Sequence, residues 1–180
     1  MASEMTAGYS PAQRGLHWAT AVVVFLLLPV GVLMTNLGQG GFTNALYEMH
    51  KSVGILALVI VLFRLGVRLL RGAPPPEPSL TPWERTVSEI VHKALYGLVL
   101  VMPLLGYAGT AMCCAPVKLF WLVPIPIPLS GSEATVKLIF KLHELGGWIL
   151  AGLVAMHVAG AFWHLLVRRD GVMARMLPRP

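Results

Sequence analysis

Six histidines carry most of the chemistry legible in this 180-residue chain: His17, His50, His92, His143, His157 and His164. They fall within or beside long apolar runs, where an ionisable side chain is costly and is usually kept for a function. Imidazole binds several metal ions and is the usual protein ligand of b-type haem iron. His143 and His157 stand fourteen residues apart. On a helix that spacing falls about 40° short of four full turns, so the two side chains face nearly the same way at depths ~21 Å apart. One helix thus offers two ligand positions, one in each half of a ~30 Å hydrocarbon core.

Elements able to hold such ligands are evident in the composition. Apolar residues make up 56% of the chain and charged residues only 12%, against about 25% charged in a soluble domain. Four runs approach the ~20 residues needed to cross a bilayer. The expected fold is all-α: an integral membrane four-helix bundle, read as one domain over residues 1–180, with helices near 11–34, 45–70, 82–112 and 133–168. Pro11 suits a first helical turn. Residues 36–43 are Gly-rich and polar, and read as a turn. Pro74, Pro75, Pro76 and Pro78 make a stiff linker, and Pro103 is expected to kink the third helix. Residues 115–132 are apolar but Pro-rich, and read as a loop on the membrane surface. The opening residues have no basic start followed by a short apolar core, so the first span is expected to stay as a helix rather than leave as a signal.

Orientation follows from Lys and Arg. Arg14, Arg64, Arg68, Arg71, Arg85, Lys93, Arg168, Arg169, Arg175 and Arg179 fall on one side; Lys51, Lys118, Lys137 and Lys141 fall on the other. The positive-inside rule puts both termini and the Pro-rich linker in the cytoplasm. Depth then pairs the histidines. His50 opens the second helix and His143 the fourth, both on the periplasmic side. His17 lies in the first turns of the first helix, level with His157. The expected pairs are His50–His143 and His17–His157, each clamping one haem b. Arg64 lies fourteen residues after His50, so it faces the same interior at the level of His17 and His157, where haem propionates would answer its charge. Gly54 and Gly147 follow proposed ligands by one turn, leaving room for a porphyrin edge or for helix packing.

Other chemistries fit less well. Cys113 and Cys114 are the only cysteines, and no Cys-x-x-Cys-His motif exists for c-type haem. Two adjacent thiols cannot hold an iron–sulfur cluster; they are expected to be free packed thiols, with no role assigned. No carboxylate accompanies the histidine pairs inside the membrane, which argues against a di-metal site. The net charge of +6 reflects topology rather than nucleic-acid binding. A transporter or proton channel would need polar residues lining a path, and the interior polar residues here are mostly the proposed ligands.

With these residues in hand, the sequence resembles the bacterial cytochrome b561 family of four-helix dihaem proteins. The resemblance rests on Leu16-His17-Trp18, on His50-Lys51-Ser52-Val53-Gly54, on Arg64 followed by Arg68, and on the Pro-rich linker. It continues in His92 with Tyr96, Leu142-His143-Glu144 with His157 and His164, and the tail Met176-Leu177-Pro178-Arg179. It implies His17, His50, His143 and His157 as haem ligands, in agreement with the depth argument. It also implies a ubiquinone site near His92 and His164, at the cytoplasmic surface of the bacterial inner membrane. The linker carries Glu77 where some relatives carry a lysine.

The activity implied by the resemblance is electron transfer between a periplasmic donor, with superoxide as the leading candidate, and ubiquinone. Lys51, Lys137 and Lys141 surround the periplasmic haem position and are the candidates for attracting such an anion, with Lys118 in the nearby loop. Glu48, Glu133 and Glu144 share that side. The alternative is a non-catalytic haem b subunit that anchors a partner enzyme and passes its electrons on.

Overall fold

A computed structural model describes residues 8–114, 117–125 and 129–177. Residues 126–128 of the Pro-rich loop, and Pro178 and Arg179 of the basic tail, lie outside the described residues. Four helices are long and apolar enough to cross a membrane: α1 (Pro11–Asn36), α2 (Gly41–Arg71), α3 (Pro82–Cys113) and α4 (Glu133–Trp163). Even the shortest, at 26 residues, is about 39 Å long, more than a ~30 Å hydrocarbon core.

The helix starts are encoded locally. Ser10 with Gln13 and Thr81 with Glu84 form reciprocal capping boxes followed by a proline, and Ser132 accepts from the Thr135 N–H. Each satisfies amide donors that a helix start otherwise leaves unpaired. The turn expected at 36–43 is shorter than its composition suggests. Asn36 stays in α1, and the Thr43 hydroxyl donates to the Gly38 carbonyl at 2.7 Å, so α2 begins at Gly41. At its far end α4 widens into a π-helical turn, His164–Arg168, and stops at Arg169 with φ 51°.

The loop expected to be irregular contains an antiparallel hairpin, β1 (Lys118–Leu119) with β2 (Val123–Pro124). Phe120 and Trp121 take positive φ at its tip. It holds its place because the fully buried Ser52 of α2 accepts the Phe120 N–H at 2.8 Å and donates to the Lys118 carbonyl at 3.2 Å. Cys113 and Cys114, expected as free packed thiols, are instead joined in a disulfide. Both sit exposed where α3 ends, so nothing like a packed apolar site shelters the thiols.

In the bundle α1 packs on α2, α3 on α4, and α2 on α3. Val23, Val53 and Ala57 join α1 to α2, while Val24, Met102 and Leu150 join α1, α3 and α4. The outer faces carry Phe25, Phe63, Leu104, Trp148 and Phe162, as expected where lipid is the solvent. At the end bearing the termini, linker and tail fold onto the helices. Gln13 donates to the Gly72 carbonyl at 2.8 Å, Trp18 to Met176 at 2.9 Å, Arg168 to Ser79 at 2.7 Å and Arg175 to Pro75 at 2.5 Å.

Candidate functional site: two levels of paired imidazoles

At the hairpin end, α2 and α4 bring His50 and His143 together, with ring centroids 6.2 Å apart and planes at 80°. A metal–imidazole bond is about 2 Å long, so two rings on opposite sides of one metal stand about 6 Å apart, centre to centre. The Met102 carbonyl can only accept, so His143 donates Nδ1–H to it at 3.0 Å. That leaves the Nε2 lone pair available, the tautomer that metal ligation requires. Two glycines of neighbouring helices admit the rings. A Cβ on Gly106 would lie 3.0 Å from His143 Cε1, and one on Gly31 would lie 3.2 Å from His50 Cε1. On His50 the backbone of Leu27 faces the buried Nδ1, without the geometry of a good hydrogen bond.

At the terminus end the rings of His17 and His157 are also 6.2 Å apart, with planes at 70°. His157 in addition meets His92 edge-on, at 5.1 Å. Arg64 donates to His17 Nδ1 at 3.0 Å and lies 4.9 Å over the Tyr96 ring. His92 donates its Nδ1–H to the Ser88 carbonyl at 2.6 Å. His164, two turns beyond His157, donates Nδ1–H to Asp170 at 2.7 Å.

Asp170 is the member of this cluster that sequence reasoning missed. Its side chain is 8% exposed and that of His164 is 13% exposed. Its other oxygen accepts the Val172 N–H at 3.1 Å, and Arg168 Nε lies 3.8 Å away. Burial works to raise the Asp170 carboxyl, but the bonds from His164 and Val172, with the charges of His164 and Arg168, outweigh it and hold the group below the usual aspartate range. The available signal was an acid set into a basic run, Arg168-Arg169-Asp170-Gly171, directly after a histidine-bearing helix.

The lysines behave differently from a basic rim. Lys51 pairs with Glu48, Lys137 with Glu133 at 2.6 Å and Lys141 with Glu144 at 3.1 Å, each on its own helix. The Lys137 and Lys141 pairs are exposed and contribute little to stability, the Lys51 pair is half-buried, and each sets a carboxylate beside its lysine. Among the described residues Lys118 has no carboxylate within ion-pair distance.

Two features bear on what the pairs can hold. No group of three or more His, Cys, Asp or Glu is placed to share a metal ion among the described residues. Each pair would supply two imidazole ligands, and a group held there would have to bring the rest of its own coordination. An apolar cleft of about 500 Å³ lies between α1 and α4, lined by Phe25, Leu28 and Pro29 and by Ala151, Ala155 and Ala159 at one-turn spacing. Gly54 faces open space, with nothing within 4 Å of an added Cβ, whereas Gly147 meets only the Met102 methyl at 3.8 Å. The residues present fit haem b: two imidazole pairs at the right separation, an apolar cleft between α1 and α4, and an arginine at one end, with His17 needing to give up the Arg64 bond on Nδ1 before Nε2 could ligate.

Residues 8–179 match the family model described as prokaryotic cytochrome b561. Similar proteins include cytochrome b561 homolog 2 of Escherichia coli K12, 28% identical over 94% of this chain and 90% of its own length. A Yersinia pestis protein named "Probable superoxide oxidase CybB" is 26% identical over 95% of this chain and 96% of its own. Cytochrome b562 of Cereibacter sphaeroides is 26% identical over 94% and 95%.

Proposed function

The chain belongs to the prokaryotic cytochrome b561 family as a multi-pass inner-membrane protein, and from that premise we propose that it is a dihaem quinone-linked oxidoreductase with both termini in the cytoplasm. The observation that carries the reading is the pair of imidazole couples with the same 6.2 Å separation, one toward each end of the bundle. His50 and His143 would hold one haem and His17 and His157 the other. Bound haem supplies one-electron transfer, and two haems at different depths supply a relay across the bilayer.

The remaining steps belong to the chain's own residues. The Met102 carbonyl keeps His143 in the ligating tautomer. An imidazole that ligates through Nε2 carries its proton on Nδ1 and cannot accept from Arg64, so ligation by His17 would release the guanidinium to neutralise a propionate. His92 and His164, beside and beyond His157, frame the proposed ubiquinone site. The disulfide at the hairpin end suits an oxidising periplasm, which supports the topology derived from the lysines and arginines. Superoxide is proposed as the donor on that side, in keeping with the name of the Yersinia pestis relative. With Lys51, Lys137 and Lys141 ion-paired, Lys118 on the hairpin is the cation best placed to attract an anion.

The test is spectroscopic and kinetic. Purified protein should carry about two haems per chain with low-spin b-type spectra. His143→Ala should lose the periplasmic haem alone and His17→Ala the cytoplasmic one. Rapid mixing with superoxide should reduce the haems, and a ubiquinone analogue should reoxidise them. A preparation without haem from cells well supplied with it defeats the reading. Reduction only through a co-purifying protein would favour the electron-transfer subunit instead.

A further inference from the structure

The histidines at the terminus end are not chemically alike. Both use Nδ1–H as a donor, but His92 gives it to a neutral backbone carbonyl and His164 to a carboxylate. A neutral imidazole so oriented presents an Nε2 lone pair, which accepts and does not donate. Only when the ring is an imidazolium does Nε2 carry a proton to give, and a carboxylate on Nδ1 stabilises that form.

Building this arrangement takes several features of the chain. The π-helical turn places His164 at the end of α4, and the left-handed Arg169 reverses the backbone so that Asp170 returns to the ring. The Asp170 N–H also meets the His164 carbonyl, at 3.3 Å. Single-turn π segments occur often at functional sites. The charged groups facing the dyad are Arg168 on its own segment, 3.8 Å from Asp170, and Glu84 from α3, which lies 3.5 Å from Arg168. Glu77 of the linker closes over Gly171, where a Cβ would stand 3.1 Å from its carboxylate. Arg168 is thus shared between Asp170 and Glu84, and the His164 ring bonds Asp170 directly with Glu84 in electrostatic reach.

We propose that Asp170 is a positioning residue that makes His164, and not His92, the proton donor to the bound quinone. This rests on the quinone site proposed above. Reduction of a quinone to a quinol takes two electrons and two protons. The electrons arrive through the haems. Each proton leaves His164 Nε2 for a quinone oxygen, and the ring is reprotonated from cytoplasmic water, with the Asp170 carboxylate holding its orientation throughout. His92 offers its Nε2 lone pair as an acceptor, which fits the hydroxyl of the quinol product.

The experiment uses full-length protein with its haems, a soluble ubiquinone analogue and stopped-flow haem oxidation after prereduction. Asp170→Ala should lower the maximal rate of haem oxidation at least tenfold, with KM nearly unchanged and haem content and spectra as in wild type. The solvent deuterium isotope effect should rise as proton donation comes to limit the rate, and Asp170→Glu should recover part of it. His164→Ala should fall by a similar factor, and the double variant no further, because the two residues act as one unit. Wild-type rates in Asp170→Ala, or a loss that adds to that of His164→Ala, would overturn the proposal. Failure of the wild-type protein itself to reduce the analogue would count against the quinone reading instead. A loss of haem from Asp170→Ala would show that the carboxylate only fastens the tail, and would also overturn it.

Discussion

Gly106→Ala asks directly whether α3 seats the His143 imidazole. The added Cβ would lie 3.0 Å from Cε1 and 3.4 Å from Nδ1 of His143, while relaxed carbon contacts sit near ~3.5–4.0 Å. The ring must retreat from α3 by a few tenths of an ångström, which stretches its 3.0 Å bond to the Met102 carbonyl. Overpacking a tight site costs about 1–3 kcal/mol, or about 5- to 150-fold in the affinity for a group that the ring holds. The bond to Met102 also makes the ligand more electron-rich. Weakening it should raise the potential of the proposed periplasmic haem, by about 59 mV for each tenfold change in the preference between oxidation states. Potentiometric titration of the α-band, with haem quantified per chain, reads both effects. Gly31→Ala should perturb the same haem less, since its Cβ would stand 3.2 Å from His50 Cε1. Gly66→Ala, with nothing within 4 Å, is the control. Wild-type potentials and haem content in Gly106→Ala would refute the reasoning, as would a shift confined to the haem of His17 and His157.

Two further outcomes test the framework around the pairs. Ser52→Ala removes the hydroxyl that holds the Phe120 N–H and the Lys118 carbonyl in two part-buried bonds, at a cost of about 0.5–1.5 kcal/mol for each. Hydrogen exchange at the hairpin should speed up measurably while the four helices stay protected; unchanged exchange would mean that the hairpin is held by other contacts. The second outcome concerns acid. The Asp170 carboxyl is held below its ordinary value, so its contribution to docking the tail is fully present above that value, near ~3.9. It is lost as pH falls through the still lower folded-state value. Limited acid proteolysis of the tail should therefore accelerate only below about pH 4. In Asp170→Asn that step should disappear, and its persistence would assign the titration to another group.

What could be read from the chain alone was whatever depends on helical period. The levels of His17, His50, His143 and His157 and the depth of Arg64 follow from counting residues along straight helices, and the structure brings those side chains together. Contacts made across helices were out of reach. Gly31 and Gly106 meet histidines of other helices, whereas Gly54 and Gly147 were chosen for their spacing within a helix. Asp170 reaches His164 only because Arg169 turns the chain back, which no periodicity announces. The hairpin depends on one buried hydroxyl 68 residues away in sequence. The lysines are a different case. Glu133 and Lys137 stand at i,i+4, and Glu48 and Lys51 at i,i+3, so the pairing that weakens a basic rim was visible in the spacing all along.

If the proposed function holds, the two levels do different work, and the difference follows from charge in a low-dielectric medium. At the hairpin end the rings rest on a backbone carbonyl and two glycines, with no acid or base aimed at them among the described residues apart from the paired imidazoles. Such a seat fixes geometry and can pass an electron, but it cannot move a proton in step with it. At the terminus end Arg64 and His92 stand against the second pair, Tyr96 lies under Arg64, and the His164–Asp170 dyad sits two turns farther along α4. Adding electrons to a quinone in a poorly solvated site is unfavourable unless protons arrive to cancel the charge. Proton-carrying side chains are therefore needed where the acceptor binds, and a one-electron donor at the other end needs none. On the proposed function, the uneven distribution of titratable groups, more than the resemblance between the two imidazole pairs, would give the relay its direction.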